Sequence, residues 1–179
     1  AAPGGDPMAS WTPPKLANAE KDKKEIQALF QSMDAAMKRG DVDAAAALVD
    51  FPVLMATDDK KGDGMAETWT RERWVEVMKP FYEKPRTDMK VTHKPTIFVM
   101  SDSLASVDDV ATVKTGEKTM TMRNSTLVIR RDGKWLVKAM AEPGWGDMPQ
   151  VQSAAGGAPG TPSQGTGSGA QQPPPETTK

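Results

Sequence analysis

Apolar positions along this chain recur first at helical spacing and later at strand spacing, with a short strand pair between two helical stretches. In "EIQALFQSMDAAMKRGD", Ile26, Leu29, Phe30, Met33 and Met37 fall three and four residues apart and make one stripe on a helix. Gly40 suits the left-handed residue that ends such a helix, and Asp41 can cap the next, "VDAAAALVD". "FPVLMATDD" reads as a strand, "KKGDG" as a turn and "MAETW" as the returning strand. Thr70 can cap "RERWVEVMK", where Trp74, Val77 and Met78 share a face with Phe81 beyond. Pro80 lacks the donor that a helix interior needs, so this helix is expected to kink or end there.

After Pro85 the period is two. "VTHKPTIFVMS", "LASVDDVATVK", "KTMTMRNSTLVIRR" and "KWLVKAMA" read as strands joined at Ser101-Asp102, Gly116-Glu117 and Asp132-Gly133, which makes an antiparallel meander. Helices first and sheet last predict an α+β domain, three N-terminal helices packed on a curved antiparallel sheet. A two-residue turn at Asp132-Gly133 would set Ile129 opposite Leu136, Leu127 opposite Lys138 and Ser125 opposite Met140. Alternation then gives one face to Arg123, Ser125, Leu127, Ile129, Leu136, Lys138 and Met140. Met122, Thr126, Val128, Trp135 and Val137 share the other.

Composition divides the chain into three. Residues 1–18 are Pro/Ala/Gly-rich and read as a flexible leader, residues 19–148 as the domain. Residues 149–179 are rich in Gly, Ser, Pro and Gln, with Val151 their one large aliphatic side chain. They are expected to be a disordered tail, because they hold too little apolar surface to offset the entropy of ordering. A net charge of -1 gives no field to attract nucleic acid or an anionic membrane. The apolar runs are too short for a membrane span. Cysteine is absent, which excludes disulfides, thiolate metal sites and a Cys nucleophile. The opening "AAPGGDPMASWTPP" suits a chain left after signal-peptide cleavage, so a periplasmic or secreted protein is expected.

Candidate chemistry is sparse. His93 is the only histidine; it could act as a base, but near a strand start before Pro95 its plainer reading is a solvated side chain. One histidine does not make a zinc site without carboxylate help. Asp108 and Asp109 are neighbours on a strand and point to opposite faces. In "DDKKGDG" Lys60 and Lys61 interrupt calcium-ligand spacing. Met120 and Met122 share a strand face, yet the 12 methionines are spread through the core and do not cluster with histidine, as a copper site would want. No metal and no cofactor are therefore expected.

The order of elements, with "GDVDA" after the first helix and "RRDGKW" before the last strand, resembles the nuclear-transport-factor-2-like (NTF2-like) superfamily over residues 20–142. Within it the chain is most similar to the bacterial SnoaL-like and DUF4440 branch. The resemblance implies a cone whose sheet wraps a pocket closed by the helices, and a homodimer formed through the outer sheet face. Ketosteroid isomerase shares this layout, but Met33 stands where its helix-1 Tyr belongs, Ser125 where its proton-donating Asp belongs, and Thr57 near the position of its base. Steroid-type isomerisation is thus disfavoured, and no catalytic residue is assigned. The Ser125 match turns the Arg123 face into the pocket and leaves Trp135 and Val137 as the dimer surface. The expected function is non-catalytic binding of a small amphipathic ligand with an anionic end. Met33, Met37, Met55, Trp69, Trp74 and Met78, with Ser125 and Met140, would form the pocket, and Arg123 or Lys138 would hold the polar end. A SnoaL-type isomerase, dehydratase or hydrolase using Asp58 or His93 as base is the first alternative. A structural or interaction protein of the cell envelope is the second.

Overall fold

In the computed structural model, which describes residues 6–155, the first apolar stripe forms helix α1 (Ala19–Arg39). Ile26 and Leu29 are buried from that stripe, and Phe30, Met33 and Met37 pack beside them. Gly40 ends α1 at φ 73°, its N–H returning to the carbonyls of Ala36 and Met37. A Cβ at Gly40 would also lie 2.8 Å from the Tyr82 carbonyl oxygen, so the close approach of two chain segments requires glycine there. Asp41 caps α2 (Val42–Ala46) by accepting from the Ala44 N–H at 2.9 Å. Thr70 caps α3 (Arg71–Tyr82) in the same manner through Arg73. Pro80 sits inside α3, and the helix stops two residues later.

The strands are β1 (Val49–Asp58), β2 (Gly64–Trp69), β3 (Met89–Thr92), β4 (Pro95–Ser101), β5 (Leu104–Thr115), β6 (Lys118–Arg131) and β7 (Lys134–Ala141). They form one curved, unclosed sheet in the order β2-β1-β7-β6-β5-β3, with β4 also on β5. The expected α+β class and helix-on-sheet layering are present. Two details differ. The meander returns β7 to β1 in parallel, so the sheet is mixed. The stretch "VTHKPTIFVMS" is also two strands, β3 and β4, which follow one another along the same side of β5.

The inward face of the β6–β7 hairpin is the reverse of that expected. Asp132 and Gly133 take φ 49° and 76° in the two-residue turn, and Ile129 pairs with Leu136 as the turn requires. The register then slips by one between Leu127 and Val128. Leu127 therefore meets Ala139 and not Lys138, and Ser125 meets Ala141 and not Met140. Thr126, Val128, Trp135 and Val137 are buried at 5% exposure or less, against the helices, while Arg123 and Ser125 are exposed. The slip also brings Met140 opposite Thr126 and against the core. Both faces of the hairpin are apolar enough to be buried, and only the helices select between them. Trp135 and Val137 are thus core residues and no dimer surface.

The C-terminal boundary moves too. Pro149–Ala155 is a helix, α4, and Val151 is 2% exposed within the core. Arg73 donates to the carbonyls of Gln150 and Val151 at 3.1 and 3.0 Å. Trp145 meets Trp69 edge-on at 5.4 Å, and the Gly146 N–H reaches the Asp58 carbonyl at 3.1 Å. The lone large aliphatic of the expected tail is what anchors it. The rest of that tail, residues 156–179, lies outside the described residues, as does the start of the leader. Within the leader, Pro7–Ser10 makes one 3-10 turn, and Ala17 donates to the Asp102 carboxylate at 2.7 Å. Among the described residues no helix is long and apolar enough to cross a membrane.

Candidate functional site

Along the inner sheet face, side chains change character in cross-strand rows. Val99, Ala105 and Val128 sit side by side in the core, and Ile97, Val107 and Thr126 form the next row. The row after is polar: Asp109 on β5 stands beside Asn124 on β6. Asp109 is 4% exposed, and strand alternation turns its neighbour Asp108 outward to accept from the Ser125 hydroxyl at 2.6 Å. A buried carboxylate needs donors. The break between β3 and β4 supplies them. Pro95, paired with Asp109, brings no N–H to the ladder, and the preceding Lys94 N–H turns to Asp109 Oδ1 at 2.9 Å. His93 places Nδ1 2.5 Å from Asp109 Oδ2.

The other ring nitrogen of His93, Nε2, lies 2.8 Å from Asp34 Oδ2 on α1. Asp34 follows Phe30 by one helical turn and so stands at the edge of the apolar stripe, facing the sheet. The expectation that His93 is simply solvated is corrected, since its side chain is 26% exposed and held at both nitrogens. Burial opposes the charged ring, but the hydrogen bonds and charges of Asp109 and Asp34 outweigh it and hold the His93 pKa above its ordinary value. The imidazolium is therefore favoured. The carboxylates approach opposite edges of the ring, so the three groups do not converge on one point as metal ligands must. Tyr82, the single tyrosine, is pushed up to about 12 by burial and then by the charge of Asp34.

A cleft of about 630 Å³ opens beside the trio, between α1 and the β3–β5 region. Gln27, Gln31, Asp34 and Lys38 line it from one face of α1; Val91, Ile97 and Val107 give it an apolar wall. Asp34 Oδ1 accepts no protein hydrogen bond, and no carboxylate pairs with Lys38, among the described residues. The cleft thus offers an unengaged carboxylate oxygen, an adjacent imidazolium and a cation one helical turn away. Such a set can exchange protons with a bound molecule.

The residues expected to bind a ligand are not brought together here. Met55, Trp69 and Trp74 are buried in the core, and Met33, Met37, Met78 and Met140 pack against it. Lys138 is engaged by Asp50 at 3.0 Å and the Pro52 carbonyl at 2.6 Å. Arg123 and Ser125 lie on the outer face with Lys94 and Asp108, around a shallow depression of about 350 Å³. Asp58 accepts from the Gly144 N–H at the β1–β2 end of the sheet and does not line the cleft. Asp34 escaped notice in the sequence, and Asp109 stood out there only as one of two neighbours on opposite faces of a strand. Their one signal was position: a carboxylate at the border of a helical apolar stripe, and another at an inward position between Val107 and Ala111.

No known family profile matches the sequence, and no curated protein does. Solved structures do match. An NTF2-like protein of unknown function from Shewanella oneidensis superposes with a TM-score of 0.57 at 20% identity, over 69% of this chain and 99% of that one. The association domain of C. elegans CaMKII gives 0.55 at 17% identity, over 70% and 98%. A scytalone dehydratase-like protein from Novosphingobium aromaticivorans gives 0.55 at 14% identity, over 70% and 85%. At these identities the likeness is one of architecture, and the chain has the NTF2-like fold.

Proposed function

We propose that the α1–sheet cleft binds a small molecule and exchanges protons with it through Asp34 and His93. Asp109 holds the imidazole in place, and Lys38 receives an anionic end of the ligand. The observation that carries this reading is the Asp109–His93–Asp34 chain, buried at one end and open to a cleft at the other. Asp34 Oδ1 accepts a proton from an acidic C–H or O–H of the ligand. Charge that collects on the ligand's oxygen is met by the adjacent imidazolium and the Lys38 ammonium, and the proton held on Asp34 returns to the ligand. This is the chemistry of an isomerase or dehydratase, the SnoaL-type alternative with Asp34 in place of Asp58 as its base. The scytalone dehydratase-like structure among the similar folds is in keeping with it. A second reading, binding without chemistry, draws on the fact that both ring nitrogens already face carboxylates and neither is free to accept a proton.

The two readings separate in one experiment. Small 2-oxo and 3-oxo carboxylates are incubated with the protein in deuterated water, and deuterium entry at carbon is followed by NMR. Proton transfer predicts exchange that falls about a hundredfold in Asp34→Asn, with binding retained. Binding with no exchange above background assigns the cleft to the non-catalytic module. Absence of both binding and exchange overturns the site.

Two wider expectations belong to the same reading. Leu54, Phe98 and Leu104 are 46%, 65% and 36% exposed, on the outward side of the sheet with Leu127, Ile129 and Leu136 beside them. We assign the homodimer to this face. Export to the periplasm or beyond is also part of the proposal.

A further inference from the structure

Beyond the polar belt of Asp109 and Asn124, the inner sheet face becomes apolar again. Ala111 pairs with Met122, and Val91, Val113 and Met120 stand in one row across β3, β5 and β6. Burial confirms the facing: Val91, Val113 and Met122 are half-buried and alternate with exposed Lys90, Thr92, Lys114, Thr121 and Arg123. Met120, at the open end of the row, is 57% exposed. Helix α1 lies against β4 and β7, toward the other end of the sheet. Val91 is itself a wall of the cleft, so the row runs from the cleft out to solvent without a step.

We infer that this row is the seat for the apolar part of the cleft's ligand, and that the ligand is a carboxylate or similar anion with a linear chain of about eight carbons. The inference rests on the cleft being a small-molecule site, and not on the proton transfer. Four features carry it. The polar groups of the cleft, Lys38 and the Asp34–His93 pair, stand together at the inner end, and the apolar side chains are ranked outward from them. That is the layout an amphipathic molecule matches. The row spans two strand spacings, about 10 Å, the reach of an extended chain of about eight carbons. Only Met120 of its side chains is largely exposed, so the row falls far short of the roughly 800 Å² that each partner of a stable protein complex buries, which suits an alkyl chain and not a protein. Methionine also moulds to a flexible chain better than branched side chains do.

The test is a titration of the whole protein with straight-chain carboxylates from two to twelve carbons, by calorimetry, with the methionine methyl signals observed by NMR. A chain lying on an open shelf has one side covered, so about half of the roughly 0.8 kcal/mol per buried methylene is realised, or about a twofold gain per carbon. The expected result is that gain up to about eight carbons, a plateau beyond, and shifts of the Met120 and Met122 methyls only with the longer chains. Met120→Asp should flatten the series to within twofold overall. Thr121→Asp, on the opposite face of the same strand, should keep the slope. Affinity that ignores chain length, or a slope unchanged in Met120→Asp, overturns the inference. Deuterium exchange in short ligands without a chain-length dependence removes the shelf and leaves the proton-transfer reading standing. A chain-length dependence without exchange supports the shelf alone.

Discussion

Replacing Val151 by Ala tests whether the segment after β7 belongs to the folded domain. Val151 is 2% exposed, and the backbone around it is held by the two Arg73 hydrogen bonds and by Gln152, whose side chain donates to the Gly146 carbonyl at 2.7 Å. The substitution removes two buried methyl groups, about 1.6 kcal/mol at roughly 0.8 each. Incomplete collapse of the space adds to that, so a loss of about 2 kcal/mol is expected. For a domain of this size 1 kcal/mol moves the melting temperature by about 2–4 °C, which makes the expected drop about 4–8 °C. Urea unfolding followed by tryptophan fluorescence gives the same quantity as a shift in midpoint at constant slope. The exposed neighbour serves as control: Gln152→Ala removes one part-buried hydrogen bond and no buried methyl group, and should cost about 1 kcal/mol or less. A Val151→Ala midpoint equal to wild type would show that α4 does not pack as described, and would return this segment to the tail.

Val137→Lys would place an ammonium where the side chain is 2% exposed, and it should abolish folding at a cost above about 4 kcal/mol. A folded monomer by circular dichroism and light scattering would instead restore Val137 to an interface. Because the His93 pKa is raised in the folded state, its contribution to stability is complete below the ordinary value near 6.5 and fades as pH rises through the folded value. The urea midpoint difference between wild type and His93→Gln should therefore shrink between pH 5.5 and pH 9; a difference that grows with pH contradicts the two-carboxylate clamp. Lys138→Met leaves buried Asp50 with Arg131 as its remaining charged partner and should cost about 1 kcal/mol, a modest figure because Lys138 is 30% exposed. Arg123→Met, which breaks no ion pair among the described residues, should change stability by less than about 0.5 kcal/mol, and equal losses for the two would refute the distinction.

Local chemistry settled much of this protein before any contact was known. The stripe Ile26–Met37, the stop at Gly40, the caps at Asp41 and Thr70 and the two-residue turn at Asp132-Gly133 are short-range matters. Each depends on φ preference, on side-chain reach to a nearby N–H, or on a repeat of 3.6 or 2 residues, and each is legible within a few residues. The order of elements then restricts the domain to helices on one face of a sheet. What the sequence left undecided was which side of an evenly apolar strand meets those helices. In the β6–β7 hairpin both sides qualify, and the choice falls to Trp135, Val128 and Val137 because the helices lie there. The pairing slip between Leu127 and Val128 is equally non-local, since β1 fixes the other edge of β7 and the extra residue falls between two constraints. The site belongs wholly to tertiary structure. Asp34, His93 and Asp109 are separated by 59 and 16 residues along the chain, and no spacing rule links a helix face to a strand break. They meet because α1 crosses the sheet where β3 gives way to β4, and a buried carboxylate there must find a donor.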